Sequence, residues 1–294
     1  MKPEMIPEMN QIKKPIIKPC TKQWLIALDI DGTILDKPTG VRVPQKVRDA
    51  IKDARAHGAR VCLCSSRPCF FMGDATGDVG EVDALVGVSG AVIEIPRAPG
   101  DNRGEVFYKD RLPASLALAV FNKAQKHDLY VSFAGDEKIL TCKKGPFSPP
   151  TGTGSVFAVM DDDELADALK NAPHSCAFMF TKPGMPDSLI VDEPTLSAAT
   201  IQRASNNCFI ITNKGTDKGT GVMRLAELWG IPRETVLAVG NDENDIAMLK
   251  AAGVGVAVAN ASPKTLAAAD WIAPGVEDGG AAEAIRRFVP GSKP

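Results

Sequence analysis

The sequence predicts an α/β protein, with a Rossmann-like parallel sheet into which a second domain of α+β type is inserted. Short runs of consecutive apolar residues alternate with helical patterns, and this alternation stops in the middle of the chain and later resumes. Continuously apolar strands are covered on both faces, as in a parallel sheet, and helical connections are the crossovers that parallel pairing requires. We therefore predict a discontinuous core domain over residues 24–95 and 206–290, and an inserted domain over 96–205.

The first part of the core is predicted to hold three strands and one crossover helix. The strand Trp24–Leu28 is apolar throughout, and Arg60–Cys64 and Ala84–Val88 have the same character. Apolar residues at helical spacing predict a helix over Pro44–Ala56, and Gly58 stands where a helix commonly ends. This order of elements predicts parallel strands.

The insertion is predicted to mix short strands with two helices. One helix is expected over Ala114–His127, and the other begins at Asp161–Glu164, where carboxylates suit a helix N-terminus. A stretch rich in Pro and Gly, Gly145–Gly154, separates them.

The second part of the core returns to alternating strands and helices. The predicted elements are strand Cys208–Ile211, helix Lys218–Leu228, strand Val236–Val239, helix Asp245–Ala252, strand Val254–Val258, a short segment Trp271–Ile272 and a closing helix Gly280–Phe288.

Composition argues against several classes of partner. The 294 residues are 44% hydrophobic and 24% charged, with a net charge of −2, so the chain lacks the basic excess of nucleic-acid or anionic-membrane binders. No stretch reaches the roughly 18 apolar residues of a membrane span. Residues 1–23 carry Pro and Lys throughout and are predicted to form a flexible extension.

The seven cysteines are predicted to be reduced thiols of a cytoplasmic protein, since their number is odd and the chain is too long to need disulfides. Cys62, Cys64 and Cys69 are close enough in sequence to suggest a metal cluster. They lie in or beside an apolar run and no paired CxxC follows, which favours buried thiols instead.

Polar residues collect where the predicted strands end. Asp29 and Asp31 follow the first strand, Ser65 and Arg67 follow the second, and Lys218 opens a later helix. A further cluster follows Val239 and consists of Asn241, Asp242, Asn244 and Asp245. Ligands bind at the carboxyl ends of the strands in open α/β sheets, so we expect these groups to converge. The three histidines lie outside the clusters, which disfavours histidine-dependent acyl transfer.

The chemistry of these groups favours phosphoryl transfer assisted by Mg²⁺. Oxygen ligands without His or Cys suit a hard cation. A carboxylate that attacks a phosphate needs a metal ion and a lysine to offset the repulsion between two anions. Asp29 and Asp31 are two residues apart, so in an extended chain one could attack while the other handles the proton.

Four motifs resemble those of the haloacid dehalogenase (HAD) superfamily. The segment Asp29-Ile30-Asp31-Gly32-Thr33 is similar to its first motif. Ser65, Lys218 and Gly240–Asp245 are similar to the second, third and fourth, in the same order. An isolated Asp-x-Asp-Gly-Thr could be an ordinary turn at a strand end, and the Gly240–Asp245 segment could be a helix-capping turn.

Other segments resemble the Cof-type (subclass IIB) sugar phosphatases of that superfamily. Ala252–Ala261 and Glu277–Gly280 carry this likeness, and the whole resemblance covers about residues 24–288. It implies a HAD fold with a C2-type cap domain between the second and third motifs, where the insertion lies.

The resemblance also implies a role for each matching position. It implies that Asp29 is the nucleophile and a Mg²⁺ ligand, that Asp31 is the general acid and base and binds metal through its carbonyl, that Ser65 hydrogen-bonds the phosphoryl group, and that Lys218 pairs with Asp29 and the phosphate. By the same resemblance Asn241, Asp242 and Asp245 would complete the metal site, and Gly32, Thr33, Ser66, Arg67 and Asn244 would contact the phosphate or substrate.

Three positions depart from the family pattern. Ser65-Ser66-Arg67 stands in place of Thr-Gly-Arg, and Ser89-Gly90 in place of Asn-Gly. Asn241 stands where the family usually has an aspartate that binds metal. An amide carbonyl still binds Mg²⁺ but carries no charge, and Asp242 or Asp245 could compensate.

The resemblance implies an Mg²⁺-dependent phosphatase acting on a small phosphorylated metabolite, most plausibly a sugar phosphate. Two alternatives stay open. One is phosphoryl transfer between sugar positions, as in phosphomannomutases, and the other is a binding or regulatory protein with weakened catalysis.

Overall fold

A computed structural model describes residues 23–36, 42–101, 103–142, 157–171, 174–205 and 207–291. The predicted N-terminal extension, apart from Gln23, and the stretch Gly145–Gly154 lie outside these ranges.

The described residues form strands and helices as follows. The strands are β1 (Leu25–Leu28), β2 (Arg60–Cys64), β3 (Ala84–Gly87), β4 (Val92–Pro96), β5 (Gly104–Lys109), β6 (Tyr130–Ala134), β7 (Ile139–Cys142), β8 (Phe157–Met160), β9 (Cys176–Phe180), β10 (Ala199–Ser205), β11 (Cys208–Asn213), β12 (Val236–Gly240), β13 (Val254–Val258) and β14 (Trp271–Ala273). The helices are α1 (Gln45–Ala56), α2 (Gly73–Val79), α3 (Ala114–Lys126), α4 (Asp162–Asn171), α5 (Ser188–Val191), α6 (Lys218–Leu228), α7 (Ile246–Ala251), α8 (Pro263–Ala268) and α9 (Gly280–Phe288).

The larger sheet has eight strands in the order β14-β13-β12-β1-β2-β3-β4-β5. The strands from β14 to β3 are parallel, and β4 and β5 add an antiparallel edge. Every residue of β1 is fully buried, because one apolar cluster covers each face of the sheet. The predicted α/β architecture with a parallel core is confirmed.

The second sheet has six strands in the order β10-β11-β9-β6-β7-β8, and only β7 and β8 pair in parallel. Helices α3 and α4 cover one face of it and share an apolar cluster with the sheet. We call this sheet with its helices the cap.

The first change of sheet comes later than the predicted boundary at residue 96. Strands β4 and β5 belong to the larger sheet, which therefore continues to Lys109. The chain reverses through Val88, Ser89 and Gly90, which have φ angles of 53°, 51° and 93°, and it returns antiparallel. The core was predicted from strands that alternate with helices. Strand β4 follows β3 through a tight turn rather than a helix, so this pattern did not identify it as a strand of the core.

The second change of sheet also differs from the prediction, which placed Cys208–Ile211 in the parallel core. This strand, β11, lies inside the cap sheet and is antiparallel to both β9 and β10. A central strand is buried whichever sheet contains it, so its apolar run does not identify its partners. The larger sheet resumes only with α6 and β12.

Contacts at both ends of the cap sheet connect it to the core domain. Next to the connecting segments, the Asp110 carboxylate accepts hydrogen bonds from the Asn213 amide, at 3.2 Å, and from the Thr216 hydroxyl. At the other end of the cap sheet, the rings of Phe71 and Phe157 meet edge to face, with centroids 6.3 Å apart.

None of the described helices is long and apolar enough to cross a membrane. The six cysteines within the described residues are buried and form no disulfide with one another. Cys62 and Cys64 lie in one apolar cluster and Cys69 in the other.

Candidate active site

The site lies at the carboxyl end of the central strands. Asp29 directly follows β1, and its backbone N–H donates to the carbonyl of Val239 in β12 at 3.0 Å. The chain then turns at Gly32, where φ is +84°. A side chain there would collide with the amide of Asn241, so glycine allows both the turn and the close approach of the next loop.

Lys218 connects two carboxylates at the centre of the site. Asp217 caps the first turn of α6 and fixes its start, so that the Lys218 side chain is held 1% exposed. Its ammonium lies 2.7 Å from Asp29 Oδ1 and 2.6 Å from Asp245 Oδ1. The site therefore contains a buried cation that two anions share.

The charges of this cluster do not balance. Burial disfavours the Lys218 ammonium, but the charges of Asp245 and Asp29 outweigh this effect and raise its pKa. Burial, and then the negative charge of Asp245, raise the pKa of Asp29 to about 7 against the opposing effect of Lys218. One ammonium thus faces two buried carboxylates, an arrangement that a further cation would stabilise.

Asp245 also organises the loop after β12. Its Oδ2 accepts hydrogen bonds from the backbone N–H groups of Asn241, at 2.9 Å, and Asp242, at 3.0 Å. Gly240 leaves room for this carboxylate, since a side chain at Gly240 would meet it. Both oxygens of Asp245 are therefore used within the protein, one by Lys218 and one by the loop.

The carbonyl oxygen of Asn241 lies beside the nucleophile candidate. The Thr33 hydroxyl is 2.9 Å from Asp29 Oδ2 and 3.1 Å from Asn241 Oδ1, so it bridges the two oxygens. Asp242 instead accepts a hydrogen bond from the N–H of Glu243 and caps the short turn that follows. Asn241 and Asp245 thus each share a hydrogen-bond donor with Asp29, Asn241 through Thr33 and Asp245 through Lys218. Asn241 is the one of the two whose oxygen is not bound by Lys218.

This donor set fits Mg²⁺. The described residues contain no cluster of three or more His, Cys, Asp or Glu side chains able to hold a metal ion, and at Asn241 the side chain is an amide. The oxygens of Asp29 and Asn241, together with the backbone carbonyl expected from Asp31, are nevertheless hard donors of the kind Mg²⁺ prefers. The excess negative charge around Lys218 supports the same cation.

Asp31 and Arg67 form a bidentate ion pair. Arg67 Nε lies 2.9 Å from one oxygen of Asp31, and Nη2 lies 2.5 Å from the other. The hydroxyl of buried Ser65 accepts from the N–H of Arg67 at 3.1 Å, and this fixes the loop after β2. Arg67 and Ser65 thus lie beside the carboxylate expected to act as acid and base.

Ser66, Asn244 and Ser89 form a polar chain on another side of the site. The Asn244 amide donates to Ser66 Oγ at 2.7 Å, and the Ser89 hydroxyl lies 3.4 Å from the same oxygen. The structure therefore brings together the predicted residues from all four motifs.

Sequence reasoning missed Asn260. Its amide donates to the carbonyl of Gly32 at 2.8 Å, and its own oxygen accepts from the N–H of Val276 at 2.9 Å. Asn260 thereby supports the turn that carries Asp31. The signal was available, because Asn260 follows β13 just as the other site residues follow their strands.

Comparisons with known proteins agree with this arrangement. The family model for haloacid dehalogenase-like hydrolases matches residues 26–285. The phosphoglycolate phosphatase of Methanoculleus marisnigri is 26% identical over 273 residues, covering 90% of this chain and 96% of that protein. Phosphatase YwpJ of Bacillus subtilis is 24% identical over 292 residues, covering 90% and 99%.

Two solved structures share the fold. The HAD subclass IIB sugar phosphatase BT4131 superposes with a TM-score of 0.75 at 23% identity, over 91% of this chain and 99% of that one. BT1666 from Bacteroides thetaiotaomicron, a phosphatase of the same superfamily, gives 0.74 at 25% identity, over 90% and 94%.

Proposed function

The chain belongs to the haloacid dehalogenase-like hydrolases, and from this premise we propose that it is an Mg²⁺-dependent phosphatase of small phosphomonoesters. The main observation in support of this proposal is the buried ammonium of Lys218 between Asp29 and Asp245. Such a cation offsets the repulsion between an attacking carboxylate and a phosphate. The names of the relatives, several of which are phosphatases, support the same reaction.

The reaction has two steps. A carboxylate oxygen of Asp29 forms a bond to phosphorus while the bond to the ester oxygen breaks, and Asp31 gives that oxygen a proton. Asp31 then takes a proton from water, whose oxygen attacks phosphorus, so that the bond to Asp29 breaks and inorganic phosphate leaves. Lys218 stays protonated throughout and balances the charge of Asp29.

Other residues of the chain orient the reacting groups. Arg67 pairs with the Asp31 carboxylate through two hydrogen bonds, so one of these bonds must open when Asp31 carries the proton. The hydroxyl groups of Ser65 and Ser66 would donate hydrogen bonds to phosphate oxygens. Asp29, Asn241 and the Asp31 carbonyl would hold Mg²⁺, with Asp245 fixing the loop. A bound Mg²⁺ supplies positive charge that polarises the phosphoryl group.

The substrate is proposed to be a small phosphorylated metabolite, and a sugar phosphate in particular. BT4131, whose fold this chain shares, is a sugar phosphatase. The cap lies against the catalytic loop, because β10 packs on the turn Glu243–Asp245. A covered site of this kind suits small molecules better than polymers.

The test is phosphate release from a panel of sugar phosphates and other phosphorylated metabolites, measured with Mg²⁺ and with EDTA. Release that EDTA abolishes and that Asp29→Asn also abolishes would support the proposal. Turnover that needs a sugar bisphosphate and releases little phosphate would favour a mutase. Binding of phosphorylated compounds without any turnover would favour a regulatory protein.

A further inference from the structure

Strand β10 is an edge strand of the cap with two different faces. On one face Ile201 packs into the apolar cluster under the cap helices, and the Arg203 guanidinium lies 4.8 Å from the ring centroid of Phe209 in that cluster. On the other face Ala204 packs against the apolar cluster of the larger sheet. Side chains alternate along a strand, so Gln202 lies on the face opposite to Ile201 and Arg203.

This face of β10 adjoins the catalytic loop. The strand packs against the turn Glu243–Asp245, which carries Asn244 and the carboxylate that binds Lys218. Strand pairing agrees with this placement, because Gln202 pairs with Ile210, which also belongs to the cluster of the larger sheet. Gln202 therefore lies at the boundary between the cap and the site.

Within the described part of the chain, two side-chain oxygens at this boundary are buried and have no hydrogen-bond partner. They are Oε1 of Gln202 and Oδ1 of Asn244. The amide nitrogen of Asn244 is already engaged, since it donates to Ser66 Oγ at 2.7 Å. A buried acceptor without a donor destabilises the folded state. The presence of two such oxygens here is explained if a bound ligand supplies the donors.

The chemistry of these atoms restricts which part of a ligand can meet them. Amide oxygens only accept hydrogen bonds, and so do the oxygens of a phosphate dianion. The phosphoryl group therefore cannot satisfy them, whereas hydroxyl groups on the carbon skeleton of a substrate can.

We propose that Gln202 is a specificity-determining residue whose carboxamide oxygen, together with that of Asn244, accepts hydrogen bonds from hydroxyl groups of the alcohol that the enzyme releases. The substrate is then a phosphate ester of a polyhydroxylated alcohol. This inference rests on the proposed phosphatase function and names a cap residue that recognises the alcohol part of its substrate.

The test compares substrates that have and lack hydroxyl groups. The kcat/KM values of the native protein and of Gln202→Leu are measured for the best hexose phosphate, for its deoxy analogues and for p-nitrophenyl phosphate, which has no hydroxyl donor. Leucine has a similar size to glutamine but lacks the acceptor. The matched control is Gln125→Leu, the same change at an exposed position of α3 in the cap.

Loss of one buried hydrogen bond to a substrate hydroxyl is expected to lower kcat/KM for the hexose phosphate about 10- to 100-fold relative to p-nitrophenyl phosphate. One deoxy analogue should lose a similar factor with the native protein and little more with Gln202→Leu, since both changes remove the same bond. Gln125→Leu should leave the ratio between the substrates within about twofold of native.

An unchanged ratio in Gln202→Leu, with p-nitrophenyl phosphate still hydrolysed, would overturn this inference and leave the proposed function intact. A second test uses the native protein alone. If its kcat/KM is the same for the hexose phosphate and for every deoxy analogue, the inference is overturned as well. Failure of the native protein to hydrolyse any ester would count against the phosphatase function itself.

Discussion

The edge of the larger sheet and the inner face of the cap use polar side chains in opposite ways. At the edge, Lys218, Asp29 and Asp245 are buried and bonded to one another. On the cap, Gln202 places a buried oxygen at the boundary, where none of the described residues is its hydrogen-bond partner. Groups that perform a reaction are more effective when they are held in place before the substrate binds. A group that selects a substrate must instead keep a hydrogen-bonding atom available for it.

The two regions therefore also differ in how a mutation changes the stability of the folded protein. The paired charges of the catalytic cluster depend on each other, so removal of one leaves the others uncompensated. The acceptor of Gln202 has no such dependence, and its replacement by an apolar side chain should leave the melting temperature unchanged or higher.

The largest effect is expected from Asp29→Asn, which tests whether the edge of the sheet performs the chemistry. An amide is a poor nucleophile, so kcat should fall by at least about 10⁴-fold. Phosphate release is the measurement, with the melting temperature as a check on folding. Turnover near the native rate would refute the aspartyl-phosphate mechanism.

The second largest effect is expected on stability, where a buried ion pair of the larger sheet is compared with an exposed ion pair of the cap. Lys218→Met leaves Asp29 and Asp245 as buried carboxylates without their cation, which should destabilise the protein by about 3–5 kcal/mol. The matched control is Lys170→Met in the cap helix α4, where the pair with Asp167 at 2.8 Å is solvent-exposed.

That exposed pair is expected to contribute only about 0–1 kcal/mol. Urea unfolding of both variants, in the absence of substrate, measures the difference. Equal losses in the two variants would mean that the Lys218 cluster is not the stabilising feature that its burial indicates.

The third prediction concerns the amide at the edge of the sheet. Asn241→Asp adds a negative charge beside Asp29 Oδ2 and Thr33, and the charge of a ligand set controls cation affinity. The Mg²⁺ concentration that gives half-maximal activity should fall about tenfold. A large gain in kcat as well would show that the native site is weakened for turnover, as the regulatory alternative requires.

The sequence could predict that polar groups converge at the edge of the larger sheet, but it could not place Gln202 in the cap, and the reason is geometric. Parallel strands bring their carboxyl ends to one edge, so Asp29, Ser65 and Asn241 could be placed together from the order of the motifs alone. Nothing comparable places Gln202, since its orientation depends on which strand pairs with β10 and on the antiparallel register. The same dependence explains why β11 was assigned to the wrong sheet.

The smallest effect is expected from pH and should arise in the cap. His174 is buried there beside the ring of Phe133. Burial lowers its pKa and the charge of Arg111 adds to this, against the opposing effects of the Ala168 backbone and of the Asp136 charge. The folded state then binds a proton less readily than the unfolded state, whose histidine pKa is near 6.5. Stability is therefore fully present above about pH 6.5 and decreases as the pH falls below it.

His174→Gln removes this titration without removing the polar side chain. Between pH 7.5 and pH 5.5 the native protein should lose more in melting temperature than the variant does. The comparison is made with EDTA present, so that metal binding at the edge of the sheet does not contribute. An equal loss in both proteins would assign the acid sensitivity to groups outside the cap interior, and a smaller loss in the native protein would reverse the sign argued from the burial of His174.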